Sequence, residues 1–411
     1  MMRKLISLVL VLALIGAILA GCGTSKEPQN QETSQKAKKE ETVTITLGGW
    51  ASSPAETDLL DAQIKEFEKT HPNIKIEKQV ITGDYLQQMQ ARIASKTEPD
   101  VYYLDVSQAP TFIEKGVILP LDEYLDKEDL KDFEPNLLKG FQKDGKTYGL
   151  PKDYNTLALF YNKDMFEKAG VKVPTTWKEL EEAAKALTKD GVKGIVLSND
   201  AARFIPFIYQ AGGKVLENGE IVFNSNEAAK GLDFYYSLIK KGYADTPQNL
   251  GVGWNGDALA QKKAAMCIEG GWMIPFMKDA GPDVNYGIAK LPKGEKEGDL
   301  AFTVAYVMSR NTKHKEAAAE VIKFLTGKKA QQMTADSGLA IPTRISMGEV
   351  YTKKYPERKP LVEMVQYSKV FQFGTKGPKI LDALNKAGEK LQLGQETDAK
   401  KVLEEAANSL K

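Results

Sequence analysis

The sequence predicts an α/β protein of two lobes, on three observations. Strand-like and helix-like segments alternate along residues 42–411, the rhythm of a mostly parallel sheet. That rhythm restarts after Tyr148-Gly149-Leu150-Pro151. The body is also too long for one ordinary core, because domains of about 100–200 residues suggest two.

The elements follow in order. Thr42 to Leu47 alternates polar and apolar residues, a strand, and Leu60, Ile64 and Phe67 mark a helical face. Ile74, Ile76 and Val80 give a second strand. Leu86, Met89 and Ile93 line one side of a helix, and Val101-Tyr102-Tyr103-Leu104 is a short buried strand. Beyond Pro151, Thr156 to Tyr161 reads as a strand. Thr176-Trp177-Lys178-Glu179 is a capping box that opens a helix through Leu180 and Leu187. Asn218-Gly219, between Val215-Leu216 and Ile221-Val222, signals a hairpin with a type I′ turn. Ala264–Ile268, Tyr286–Ala289 and Thr303–Met308 are further strands. The last seventy or so residues read as helical, with Leu381, Leu384 and Leu391 on one face.

The amino terminus places this body outside the cytoplasm. Arg3 and Lys4 precede an apolar run from Leu5 to Leu19, broken only by Ser7. The run ends in Leu19-Ala20-Gly21-Cys22. A basic start, a short apolar stretch and small residues describe a signal peptide, residues 1–21. An uncleaved anchor is the alternative, but a span needs about 20 apolar residues. The ending resembles the lipobox of bacterial lipoproteins, which implies cleavage before Cys22 and lipid on its sulfur. Residues 22–41 then form a tether: Gly23 to Glu41 holds no large apolar residue and cannot offset its ordering entropy. A coil of about 20 residues reaches roughly 25 Å.

Composition narrows the function. With 56 basic and 55 acidic residues the net charge is +1, which argues against nucleic acid and against a broad anionic membrane patch. Cys22 and Cys267 are the two cysteines. With Cys22 lipidated, Cys267 has no disulfide partner and reads as a small buried hydrophobe. His71 and His314 lie far apart with no metal-ligand spacing, so no metal or other cofactor is expected.

Ligands of α/β sheets bind outside the carboxyl ends of strands, and two facing sheets would enclose a cleft with those ends. The segments there are Gly48-Gly49-Trp50-Ala51-Ser52-Ser53-Pro54, Asp105-Val106-Ser107-Gln108, Asp153-Tyr154-Asn155-Thr156, Trp254-Asn255 and Gly270-Gly271-Trp272. Three of the four tryptophans fall in them; the fourth, Trp177, opens a helix and reads as core. An indole face with carboxylates, amides and hydroxyls nearby suits a sugar, whose C–H faces stack while its hydroxyls need fixed donors and acceptors.

Five stretches carry a family resemblance. They are Phe67-Glu68-Lys69-Thr70-His71-Pro72-Asn73-Ile74-Lys75-Ile76, Pro99 to Asp105, Leu159 to Gly170, Lys263 to Trp272, and Ser337-Gly338-Leu339-Ala340-Ile341-Pro342-Thr343-Arg344. In this order, behind a lipobox, the chain resembles the carbohydrate-type extracellular solute-binding proteins of ATP-driven importers, similar to maltose- and trehalose-binding proteins.

The resemblance implies a periplasmic-binding-protein-like fold with a ligand cleft between the lobes. Lobe one would be 42–152 plus 304–344, and lobe two 153–303 plus 345–411. The chain would be a lipid-anchored monomer on the outer face of the membrane, handing a neutral mono- or oligosaccharide to the transmembrane permease of an importer. It implies sugar contacts at Trp50, Ser52 and Ser53 in the first-strand loop, at Asp105, and at Asn155 beside the first crossing. It further implies Trp254 and Trp272 as stacking platforms and Arg344 as a hydroxyl donor. Maltose-type relatives often carry a carboxylate where this chain has Ser52 and Ser53.

Other readings are a surface glycoside hydrolase, which needs two carboxylates at a set separation, and a rigid lectin-like protein. Gly251-Val252-Gly253-Trp254-Asn255-Gly256 matches a dinucleotide fingerprint, with Glu269 following. The preceding Asp245 to Asn249 does not read as the strand that fingerprint requires. An anion receptor would cluster arginines; Arg92, Arg203, Arg310, Arg344 and Arg358 are scattered.

Overall fold

A computed structural model describes residues 42–50 and 53–411. The signal segment, Cys22, the tether and Ser52 lie outside the described residues. Among the described residues no helix is long and apolar enough to cross a membrane.

The strands are β1 (Val43–Gly49), β2 (Ile74–Val80), β3 (Val101–Asp105), β4 (Gln142–Lys143), β5 (Lys146–Thr147), β6 (Gly149–Asn162) and β7 (Ile195–Val196). They continue with β8 (Leu216–Glu217), β9 (Glu220–Ile221), β10 (Ala244–Asp245), β11 (Met266–Gly270), β12 (Tyr286–Ala289), β13 (Asp299–Met308) and β14 (Ser368–Val370). Two small hairpins, β4-β5 and β8-β9, stand apart. The other ten strands form one sheet ordered β10-β7-β11-β6-β13-β3-β1-β2, with β12 on β6 and β14 on β13.

One mixed sheet replaces the two facing sheets that the alternation suggested, because two strands are long. β6 has 14 residues, which at about 3.3 Å each reach roughly 45 Å. Its first part, Gly149 to Thr156, pairs antiparallel with β13; its second pairs with β11 from Leu157 to Tyr161 and with β12 from Leu159 to Asn162. β13 likewise pairs with β3 through Val304–Met308 and with β14 through Asp299–Ala301. β1 pairs parallel with β2 and β3, and β7 with β10 and β11. The β6–β13 register slips between Val304 and Ala305, where Asp153 faces Val304 and Pro151 faces Ala305. Lys152 is the extra residue, as expected at a bulge beside a proline that cannot donate to the ladder.

Apolar residues gather into separate cores on either side of this crossing. Val101 and Tyr103 point with Ile45, Leu47, Tyr306 and Met308 into one cluster. Tyr102 and Leu104 point with Ala305 and Val307 into another. These are the two faces of one half-sheet, which is why β3 reads as an unbroken apolar run. A larger cluster collects Leu157 to Phe160, the helix Ala201–Gln210, β11 and the helices Gly377–Gln392 and Ala399–Asn408. The protein is an α/β fold of two lobes.

Local signals act as the sequence suggests. Glu179 N–H donates to the Thr176 hydroxyl at 3.2 Å and Thr176 N–H returns to the Glu179 carboxylate at 3.2 Å. Asn218 and Gly219 both have positive φ, 51° and 85°, the requirement of a type I′ turn. Cys267 is fully buried and unpaired. Trp177 stacks on Phe234, centroids 4.4 Å apart, and donates to Gln210.

Some boundaries differ, β1 among them, which runs Val43–Gly49 rather than Thr42 to Leu47. The expected strand at 156–161 is the end of a longer one, because Pro151 reads as a break and instead faces Ala305 beside the bulge at Lys152. β11 is displaced two residues from the expected 264–268, and β13 starts at Asp299 rather than Thr303. The helical tail contains β14.

Candidate functional site

On the first lobe Trp50 follows β1 and precedes the helix Pro54–Thr70. The Trp50 indole meets Tyr85 and Tyr103 edge-on, with centroids 4.8 and 5.2 Å away. Tyr85 donates its hydroxyl to the Tyr103 carbonyl at 2.8 Å. Ser53 is the helix N-cap, accepting from Glu56 N–H at 3.2 Å. Behind them Lys152 contacts Asp153, lies 3.4 Å from Glu56 and sits over the Tyr103 ring at 4.8 Å. Burial alone would lower the Lys152 ammonium, but Asp153, Tyr103 and Glu56 outweigh it and hold the group raised and charged. Ser53, Glu56, Lys152 and Asp153 share a cavity of about 80 Å³.

Asp105 ends β3, directly opposite Val304. One of its oxygens takes the Ser107 N–H at 2.9 Å and the Ser107 hydroxyl at 2.6 Å. Burial pushes its carboxyl up, against the stabilising pull of those two donors. Among the described residues its other oxygen accepts no hydrogen bond.

The second-lobe wall is built around Trp272. A methyl on Gly270 would come within 2.4 Å of that ring and one on Gly271 within 2.3 Å of the Asn155 amide oxygen. Both glycines are therefore fixed by close approach, and Asn155 is placed beside the turn that carries Trp272. Asn155 faces Phe302 across the β6–β13 ladder, and Phe302 meets Trp272 edge-on at 5.6 Å. The aromatic row continues to Phe371, 5.1 Å from Phe302. Trp254 precedes the short helix Asn255–Ala260 and meets Phe276 edge-on at 4.7 Å.

Trp50 and Ser53 thus flank the start of one helix, while Asn155 lies beside the turn that carries Trp272 and Trp254 adjoins Asn255, which shares Glu269 with Trp272. Asp105 lies on the strand next to the crossing. Arg344 belongs to neither group. It is 1 % exposed and donates to the Asp129 carboxylate at 2.9 and 2.7 Å, to Asp132 at 3.4 Å and to the Thr326 carbonyl at 2.7 Å. Its guanidinium covers the Phe133 ring at 4.4 Å. The expected hydroxyl donor is a structural tie, because a planar fork with two carboxylates in reach is drawn inward.

The glycine fingerprint has a different use. Asp245 does lie in a strand, but one of two residues, and the helix that follows has six. A methyl on Gly256 would meet the Trp254 ring at 2.3 Å, so that glycine makes room for an indole. Among the described residues no three metal-ligating side chains cluster.

Sequence reasoning missed Arg203, Lys152 and Phe302 as residues packed around the expected contacts. Arg203 had a signal: it is the lone charge in Ala201-Ala202-Arg203-Phe204-Ile205-Pro206-Phe207, and a buried charge requires a partner. Its partner is Glu269, reached by two contacts of 3.1 and 2.7 Å.

Comparison with known proteins agrees with this architecture. Residues 51–332 match the family model described as bacterial extracellular solute-binding protein. A binding protein of Brucella abortus (strain 2308) is 30 % identical over 282 residues, which is 64 % of this chain and 66 % of that protein. The arabinooligosaccharide-binding protein of Bacillus subtilis (strain 168) is 27 % identical over 397 residues, 91 % of this chain and 86 % of that one. Among solved structures, a substrate-binding protein of Listeria monocytogenes in complex with cycloalternan superposes with a TM-score of 0.79 at 26 % identity. It covers 90 % of this chain and 98 % of its own. On the family match, which takes in more than half of its length, the chain belongs to the bacterial extracellular solute-binding proteins.

Proposed function

We propose that the protein is the extracytoplasmic sugar receptor of an ATP-driven importer, binding a neutral carbohydrate between its lobes and delivering it to transmembrane permease subunits. The observation that carries this is the second-lobe wall: an indole held in place beside a strand-borne amide and a second aromatic ring, an apolar face with polar groups at its edge. Relatives that bind arabinooligosaccharide and cycloalternan support a carbohydrate ligand. Arg203 and Arg344 are both committed to protein carboxylates, which supports a neutral ligand over an anion. The proposed contacts are Trp50, Ser52, Ser53, Asp105, Asn155, Trp254 and Trp272. Stacking and hydroxyl recognition, rather than acid–base work, suit these residues, and no hydrolysis of the ligand is expected. A thermal-shift panel of arabinose, arabinotriose, galactotriose, maltose and maltotriose tests the reading, since a ligand bound only by the folded state raises stability. No shift with any sugar would count against it.

Closure follows from the split site. With lobes at 42–152 plus 304–344 and 153–303 plus 345–411, the hinge lies at Lys152-Asp153, Thr303-Val304 and just after Arg344. The β6–β13 bulge at the first two supports this. A ligand touching both lobes binds the closed form better, and shifts the population by no more than that difference in affinity. Small-angle scattering should show a smaller radius of gyration with saturating sugar. An unchanged radius, with binding confirmed in the same sample, would favour a rigid lectin-like receptor.

The anchor is the remaining part of the proposal. Lipid on Cys22 would hold the receptor at the outer face of the membrane. Cys22→Ser should release it into the medium or leave an uncleaved precursor. One acyl chain gives only marginal anchoring, so two or more are expected on the mature terminus. Mass spectrometry finding an unmodified terminus on membrane-held protein would sink the idea.

A further inference from the structure

Glu269 lies in β11, 2 % exposed, and receives four hydrogen bonds from three separate segments. Arg203 Nε donates at 3.1 Å and Nη2 at 2.7 Å. Asn255 Nδ2 donates at 3.0 Å, and Trp272 Nε1 at 2.9 Å. Each carboxylate oxygen thus has two donors. The Arg203 guanidinium also lies 5.6 Å from the Trp272 ring centroid, and Asp200 holds its remaining arm at 3.3 Å.

We propose that Glu269 is the positioning residue of the binding site, fixing the Trp272 indole directly and the Trp254 segment through Asn255. The inference rests on the reading of Trp272 as the sugar platform. Two physical points carry it. A buried ion pair is a poor source of stability, because an apolar pair of similar volume usually does as well or better; its geometry, by contrast, fixes the angle of whatever hydrogen-bonds to it. The cluster also tolerates a loss to keep that geometry. Asn255 turns both donors inward, to Glu269 and to the Ser198 hydroxyl at 3.0 Å, while its own buried oxygen finds no partner among the described residues. Turning the amide over would set that oxygen against the carboxylate. A flat stacking surface is useful only when its orientation is settled before the ligand arrives, since any freedom it retains must be lost on binding.

Glu269→Gln keeps the shape but offers one oxygen and an NH₂ group to four donors, so two of them lose their acceptor. In the full chain labelled with 5-fluorotryptophan, four fluorine resonances arise from the four tryptophans, and Trp272→Phe identifies that of Trp272. In Glu269→Gln that resonance should move and broaden, while that of Trp177 stays. The Kd for arabinotriose, or for maltotriose where that binds tighter, should rise roughly tenfold or more, the cost of about one lost fixed contact. In a Trp272→Ala background, Glu269→Gln should raise Kd by clearly less than it does alone, only the share carried through Asn255 and Trp254 remaining, a coupling that general loosening of the fold would not give. Should Glu269→Gln not fold, Arg203→Lys, which keeps the charge and loses the two-pronged contact, carries the same measurements. An unmoved resonance with an unchanged Kd overturns the proposal. If Trp272→Ala binds normally, the platform reading fails and the positioning proposal falls with it; if only Glu269→Gln binds normally, the platform stands and the positioning proposal alone is overturned.

Discussion

Trp272→Ala is expected to weaken sugar binding by about 2–4 kcal/mol, the range of a central aromatic hot spot, with the fold retained. The indole follows β11 rather than lying in it, and it is only partly buried. Its loss removes an edge contact to Phe302 and one hydrogen bond to Glu269, neither of which closes a core. Glu269 keeps three of its four donors, so no unpaired charge is created. The control is Trp177→Ala. That ring stacks on Phe234 and bonds the buried Gln210 while packing against the large core, away from the proposed contacts, so its removal should lower stability with little change in affinity. Calorimetry and chemical denaturation on both variants separate the two roles. Normal binding by a folded Trp272→Ala protein would show that the stacking assignment is wrong.

The elements that the sequence made legible are those whose signals are local. The capping box at Thr176, the Asn218-Gly219 turn and the two-faced strand at Val101 each depend on a few adjacent residues, and each acts in the structure as its chemistry requires. The single sheet was not legible. Its continuity depends on which strands pair across the crossing, and Pro151 reads as a break unless the bulge at Lys152 is known. The site shows the same division. The tryptophans at strand ends could be singled out from their own segments, because an indole among glycines after a strand is a local pattern. Arg344 could not be judged that way. Its partners Asp129 and Asp132 lie more than two hundred positions away, and nothing in Ile341-Pro342-Thr343-Arg344 says whether the guanidinium turns to the cleft or to them. Glu269 was hidden for a related reason, since the guanidinium that pairs with it comes from Arg203, 66 positions away.

Arg344→Ala should accordingly act on stability and leave sugar affinity alone. Removing one partner of a buried ion pair costs about 3–5 kcal/mol. The lower end is expected here, because Asp129 is 47 % exposed and can turn to water. Three losses remain: the Thr326 carbonyl loses its donor, Phe133 loses its cover, and Asp132 keeps the N–H and hydroxyl of Ser346 and a long contact to Lys328 but no guanidinium. The pH dependence identifies the partner. Burial works to raise the Asp132 carboxyl, but the N–H and hydroxyl of Ser346 and the charge of Arg344 prevail and hold it low. A carboxyl depressed in the folded state contributes stability above its unfolded value, about 3.9, and that contribution fades as the pH falls through the folded value. Without Arg344 the depression shrinks, so the variant has less to lose. The stability gap between parent and variant should therefore narrow as the pH falls below about 4, in denaturation curves taken stepwise into acid. A gap that stays constant would remove Asp132 as the partner. A variant that is fully stable at neutral pH but binds sugar weakly would return Arg344 to the cleft.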